Sequence, residues 1–286
     1  MQKRENYYEQ GISRLVILII IAVCLSAILA SNIILLKEWK NRSSNLQVEQ
    51  VSDIGVPAPF IKEVIYGYSS LGKEVKGYEI GNGPESVFLF GAIHGNEKGT
   101  RDLLERMVIE IKLQPEMVSK DLRLIIIPVL NPDGFYDRTD KLNGNGVNLD
   151  LNFETGEWKK YGPEGTYAGL EPFSEPESRI VRDIVENNNV IQMISFHSRG
   201  SLVIPDDNQP SMDLAEWYAL KTGYTYTGSD PFNFFGHTYF GTPTTWFVAK
   251  TGNAGVTVEI TDHYSSDWER NKKALMELVS AREVVQ

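Results

Sequence analysis

Cysteine is close to absent from this chain. Its single copy, Cys24, lies in an apolar run near the N-terminus, so no intrachain disulfide can form and cysteine usage leaves the redox compartment unconstrained. Histidine is scarce too, with four in 286 residues, which makes the setting of each one informative. Basic residues are in deficit, 28 Lys and Arg against 38 Asp and Glu. Residues 1–42 hold six basic and three acidic residues, so the remainder carries −13 where the whole chain carries −10. That balance argues against a nucleic-acid partner and otherwise describes an ordinary solvated surface. No internal repeat and no low-complexity tract is present, which excludes solenoid and array architectures.

Long apolar runs are confined to one place. Leu15 to Leu36 is 22 residues without a charge, bounded by Arg14 and Lys37, and about 20 such residues cross a bilayer as a helix. The run reads as a transmembrane helix and membrane anchor. It is longer than the usual signal-peptide core, and no small-x-small cleavage site follows it. Ile21-Ala-Val-Cys24 is only a loose lipobox, with Val23 a poor residue before the cysteine. Lys3, Arg4 and Arg14 before the run balance Lys37, Lys40 and Arg42 after it, so charge does not set the orientation. The substrate argument below favours an extracytoplasmic domain. The expected organisation is a tail over 1–14, the span over 15–36, a polar linker over 37–60 ending in Pro57-Ala-Pro59, and one globular domain over 61–286.

Within that domain, strand-like runs occur at Val64–Tyr68, Val75–Ile80, Val87–Ile93, Leu122–Val129, Val190–Phe196 and Gly255–Ile260. Helical patterns occur at Thr100–Lys112, Glu175–Glu186, Ser211–Lys221 and Asp267–Val285. Near-continuous apolar strands suit a sheet covered on both faces. The predicted fold is therefore α/β, a mixed and mainly parallel central sheet sandwiched between helices.

Two of the four histidines follow apolar runs. His94 and Glu97 form a His-x-x-Glu pair directly after one, and His197 follows Val190–Phe196. Two imidazoles and a carboxylate with an open fourth position make a catalytic zinc arrangement. The residues alone also allow a blander picture, in which His94 sits in a strand-end turn and His197 is a hydrogen-bonded core residue. Glu259, between Val258 and Ile260 in a buried-looking strand, needs a partner for its charge, and a metal site would supply one.

Four further segments bear on the choice: Gly67-Tyr-Ser-Ser-Leu-Gly-Lys73, Asn131-Pro-Asp-Gly134, Gly144-Asn-Gly-Val-Asn-Leu-Asp-Leu-Asn-Phe153 and Val256-Thr-Val-Glu-Ile260. Together with His94-Gly-Asn-Glu97 and Ser195-Phe-His-Ser198, and in this order, they resemble the zinc carboxypeptidase family, the funnelins, from about residue 60 to the C-terminus. The resemblance implies one zinc ion held by His94, Glu97 and His197. It implies Glu259 as the general base that takes a proton from water and passes it to the leaving nitrogen. It puts Lys141 where an arginine usually steadies the carbonyl oxygen, keeping the charge without the planar fork. Tyr239, before Trp246, is the nearest match to the family's substrate-contacting tyrosine. His237 and His263 are read as loop histidines rather than ligands.

The departures cluster in Val147-Asn148-Leu149-Asp150-Leu151-Asn152-Phe153, where family members commonly read Val-Asp-Leu-Asn-Arg-Asn-Phe. Asn148 replaces the Asp that hydrogen-bonds a ligand histidine, and Asp150-Leu151 replaces the pair that grips a terminal carboxylate. Neither Asp nor Leu can hold a carboxylate bidentately. Three outcomes stay open: Arg199 supplies the cation instead, Asp150 reads an amine such as that of a diamino acid in a cell-wall peptide, or the substrate site is lost. The leading expectation is zinc-dependent hydrolysis of a peptide amide bond, on peptide or peptidoglycan-derived stem peptides. The alternatives are a small-molecule deacylase of the aspartoacylase and succinylglutamate desuccinylase type, and a non-catalytic binding module.

Overall fold

The computed structural model describes residues 60–138, 140–228 and 241–280, all within one unit spanning Val56–Gln286. The expected tail and anchor, the linker as far as residue 59, and Tyr239 and His237 lie outside the described residues. Among the described residues no helix is long and apolar enough to cross a membrane.

Among the described residues, eight strands form one sheet: β1 (Ile61–Tyr68), β2 (Glu74–Ile80), β3 (Glu85–Phe90), β4 (Leu122–Ile127), β5 (Val190–Ser198), β6 (Leu202–Pro205), β7 (Thr225–Tyr226) and β8 (Ala254–Ile260). Their spatial order is β1-β2-β4-β3-β5-β8-β6-β7. The four central strands, β4, β3, β5 and β8, run parallel. Antiparallel β2 flanks β4 on one side, and antiparallel β6 flanks β8 on the other. The helices are α1 (Lys98–Leu113), α2 (Pro176–Asn187), α3 (Gln209–Thr222), α4 (Pro243–Thr251) and α5 (Trp268–Ser280).

Strand alternation explains the layering. Successive side chains point to opposite faces, and in β3 Val87 and Leu89 enter one core while Phe88 and Phe90 enter the other. The first core takes Leu103, Leu104 and Met107 of α1, Leu214 and Tyr218 of α3, and Leu275 and Val279 of α5. The second takes Ile180, Val181 and Ile184 of α2 with Trp246 and Phe247 of α4. Continuous apolar strands are thus the mark of a sheet buried on both sides.

Two strands and one helix have no counterpart among the expected elements. β6 and β7 are only four and two residues long, too short to show a period. α4 is announced by different chemistry: Thr242 accepts from the Thr245 amide as N-cap, Pro243 opens the helix, and Gly252 closes it in the left-handed conformation.

Leu89 lies at the centre of the sheet and is fully buried. Leu89→Ala is expected to cost about 2–5 kcal/mol. Leu113→Ala, at the exposed end of α1, should stay within about 0.5 kcal/mol. Denaturant unfolding of both variants checks the contrast.

Candidate metal centre

The parallel strands β3, β5 and β8 are neighbours, so their C-terminal ends share one edge, where α/β sheets place their sites. β3 ends at Phe90, and the chain then delivers His94. His197 is the eighth residue of β5, inside the strand rather than after it, and its register partner on β8 is Glu259.

His94 is held in place by the Asn131–Gly134 turn. The Leu130 and Asn131 amides donate to the Gly91 and Ala92 carbonyls. The Asn131 side-chain amide donates to the Ile93 carbonyl, while its oxygen accepts from Gly134 N. The two backbones come so close that a Cβ on Gly95 would lie 2.1 Å from the Gly134 carbonyl carbon, which only glycine permits. Asp133 in the same turn accepts from the Ser69 and Ser70 hydroxyls and from Leu71 N. One turn therefore clasps both the Gly67–Lys73 segment and the His-Gly-Asn-Glu segment.

Glu97 sits between the two imidazoles. His94 Nδ1 lies 3.0 Å from Glu97 Oε1 and His197 Nδ1 lies 3.3 Å from Oε2. The second contact is close but is not a hydrogen bond, and Oε2 is buried without a hydrogen-bond partner. The outer ring nitrogens are held elsewhere: His94 Nε2 is 2.9 Å from Asn148 Oδ1, and His197 Nε2 is 2.9 Å from Ser195 Oγ. Asn148 Oδ1 also accepts from Asp150 N, which identifies it as the oxygen. His94 must therefore donate from Nε2, leaving Nδ1 to face a carboxylate. Two acceptors 3.0 Å apart need a proton or a metal ion between them. Two inward Nδ1 atoms, an orphaned carboxylate oxygen and anchored outer nitrogens fit a zinc ion.

A second donor set is present. His94, Asp150 and His197 bring one potential ligand atom each within 4.8 Å of one another. Asp150, however, approaches His197 at Nε2, 3.5 Å away, the nitrogen that already faces Ser195. Glu97 faces Nδ1 of both rings, and on that ground it is the better third donor.

Burial and charge pull these groups in opposite directions. Burial alone would raise the Glu97 carboxyl, but His94 and His197 overcome it and hold the group at about 2. Burial would lower His197, yet Glu97 and Asp150 raise it to about 9. Glu259 is pushed up to about 8 by burial, with Glu97 and Asp150 adding to the rise and His197 and Lys141 opposing it.

The metal centre opens into a cavity of about 340 Å³ that also includes Lys141, Asp150, Arg199 and Glu259. Leu151 is buried and is not among its lining residues. Three further cavity residues were not among the expected site residues. Asp206, just past β6, is half-buried and raised to about 6 by loss of water, which outweighs the hydrogen bonds from the Thr244 and Thr245 hydroxyls. Ser198 Oγ and His263 Nδ1 pair at 2.7 Å on the opposite side of Glu259. The Thr-Pro start of α4 was the one available signal for the threonines.

Two expectations follow for the protein without metal. Glu97→Ala should cut zinc affinity at least about tenfold, whereas Asp150→Asn should leave zinc at one ion per chain; metal titration of the full-length variants separates the two donor sets. Stability should also fall between pH 6 and pH 9. Folded Glu259 keeps its proton to about 8 and folded His197 to about 9, while the unfolded groups release theirs near 4.5 and 6.5. Folding thus binds protons across this window, and raising pH opposes it. Denaturation midpoints at the two pH values check the sign.

Comparison with known proteins gives the family context of the chain. A family model described as zinc carboxypeptidase matches residues 58–269. The chain is 31% identical over 150 residues to bacteriocin BCN5 of Clostridium perfringens, covering 46% of this chain and 16% of that protein. It is 21% identical over 269 residues to gamma-D-glutamyl-L-diamino acid endopeptidase 1 of Lysinibacillus sphaericus, covering 77% of this chain and 66% of that one. The chain therefore spans less than two thirds of either relative's length. The fold superposes on murein-tripeptide amidase from Escherichia coli O157 with a TM-score of 0.58 and 20% identity, over 77% of this chain and 92% of that one.

Proposed function

This chain belongs to the zinc carboxypeptidase family, and from that premise we propose that it hydrolyses an amide bond in cell-wall stem peptides, on the amino side of a diamino acid. The observation that carries the hydrolytic part is the meeting of His94, Glu97 and His197 around one point, with Glu259 beside His197 in register. We assign the first three as the zinc ligands. Bound zinc supplies a Lewis acid that polarises a carbonyl and acidifies water.

Glu259 acts as the base. Its carboxyl is held high in the metal-free site by burial, and a nearby dication favours its ionised form, which lets it accept a proton from the attacking water and deliver it to the leaving nitrogen. Lys141 lines the same cavity and interacts with Glu259 electrostatically. It stabilises the negative charge that develops on the carbonyl oxygen.

The substrate reading rests on charge. Asp150 and the half-buried Asp206 face one cavity, and among the described residues no cation forms an ion pair with Asp206. A partly desolvated carboxylate beside threonine hydroxyls is suited to an ammonium group. The relative's diamino acid supplies an amine beyond the one in the scissile bond, and the murein-tripeptide amidase shares the fold. We place the catalytic unit outside the membrane, anchored through Leu15–Leu36, where such peptides are met.

The test uses the full-length chain with γ-D-glutamyl-L-lysine peptides and their α-linked isomers, following the released amino acids by mass spectrometry. Wild type should release the diamino acid from the γ-linked peptides. Glu259→Gln should lower kcat by about 100-fold or more while retaining one zinc per chain. Persistent activity would remove Glu259 as the base, and cleavage confined to α-linked peptides would remove the substrate reading.

A further inference from the structure

β8 gives the cavity an axis. Val256, Val258 and Ile260 point into the core, so Thr257 and Glu259 face the cavity from the other side of the strand. Antiparallel β6 sets Ile204 opposite Thr257 and Leu202 opposite Glu259. Continuing along β6 past Pro205 brings the chain to Asp206, on the Thr257 side. Parallel β5 sets Ser195 opposite Thr257, His197 opposite Glu259 and Ser198 opposite Ile260. Arg199 and His263 thus fall beyond Glu259 in the other direction. The acidic end and the cationic end of the cavity flank the reaction centre, Asp206 four residues of strand from Glu259 along the axis, roughly 13 Å, and Arg199 about two, roughly 7 Å.

The cationic end is equipped for an anion. Arg199 lines the cavity, and among the described residues no carboxylate forms an ion pair with it. His263 is held at Nδ1 by Ser198. With the Ser198 hydroxyl donating to Nδ1, the ring proton sits on Nε2 and that nitrogen is the donor offered to the cavity. A planar guanidinium with an adjacent N–H donor matches the two oxygens of a carboxylate.

We propose that Arg199, with the Ser198–His263 pair, reads a free carboxylate on the acyl side of the scissile amide. The proposal rests on the substrate reading above. In a γ-linked glutamyl unit the side-chain carbonyl forms the amide, so the α-carboxylate remains free and lies on that side. An α-linked glutamyl unit uses that carboxyl in the scissile amide and leaves its free carboxylate at the end of the side chain, in a different position. The cavity is then matched to both charges of its substrate, ammonium at Asp206 and carboxylate at Arg199, with the bond to be cut between them. Arg199 is a specificity residue in this scheme, and His263 orients the same carboxylate.

The experiment compares two γ-linked substrates that differ only at the glutamyl α position, one with a free carboxylate and one with a carboxamide. The full-length wild type should favour the carboxylate by about 10- to 100-fold in kcat/KM, the range expected for hydrogen bonds to a charged group. Arg199→Gln should collapse that ratio toward one, Arg199→Lys should retain part of it, and His263→Ala should reduce it less than Arg199→Gln. Equal wild-type rates on the two substrates would overturn this inference while leaving the proposed reaction standing. Failure to cleave either γ-linked substrate, with α-linked peptides cleaved, would overturn both. Because the wild-type preference needs no variant, misfolding of a substituted chain would not protect the proposal.

Discussion

A carboxylate buried with one oxygen unpaired is a liability anywhere in a protein interior, and Glu97 occupies that position between two imidazoles. The cost of stripping water from it is offset only if positive charge stays close. Much of the surrounding structure maintains that condition. Asn148 turns the His94 ring by its far nitrogen, Ser195 does the same for His197, and the three parallel strand ends hold the rings and Glu259 at one edge. The neutral Asn148 keeps the orienting hydrogen bond that an aspartate would make but adds no charge to it. Asp150, two residues on, places a carboxylate at His197 instead.

The loops behind this centre are braced as heavily as the centre itself. Asn143 donates to Glu175 and Glu177, Ser70 donates to Glu177, and Asn152 links the Ala168 and Glu171 carbonyls to Ser174 and Ser178. Burial raises Glu177, against the hydrogen bonds that favour its ionised form. Such a polar network is strong because its members are satisfied. It fixes the segment from 143 to 153, and with it Asn148 and Asp150, against the start of α2.

What the sequence disclosed depended on whether meaning was local. His94 and Glu97 share one turn of chain, and the alternating cores of β3 and β5 were visible as unbroken apolar runs. Glu259 stood out because a carboxylate between Val258 and Ile260 is locally anomalous. Asp206 had no such mark: it follows a four-residue strand, and its role comes from the antiparallel register of β6 on β8. Ser198 and His263 are 65 residues apart, and only the sheet order makes them neighbours. Leu151 carries the opposite lesson, since its substitution for arginine was plain in the text, while the buried environment that accepts a leucine there belongs to the folded chain.

The contact of Gly95 with Gly134 bears on how portable this chemistry is. A peptide containing only His94-Gly-Asn-Glu97 would have the donor atoms but no reason to present them, because their orientation is imposed by a turn nearly forty residues later in the chain. That turn is in turn tied to Ser69 and Ser70 through Asp133. Moving the metal site to another scaffold would mean moving at least three separate segments with their mutual spacing intact, so the smallest transplantable unit approaches the domain itself.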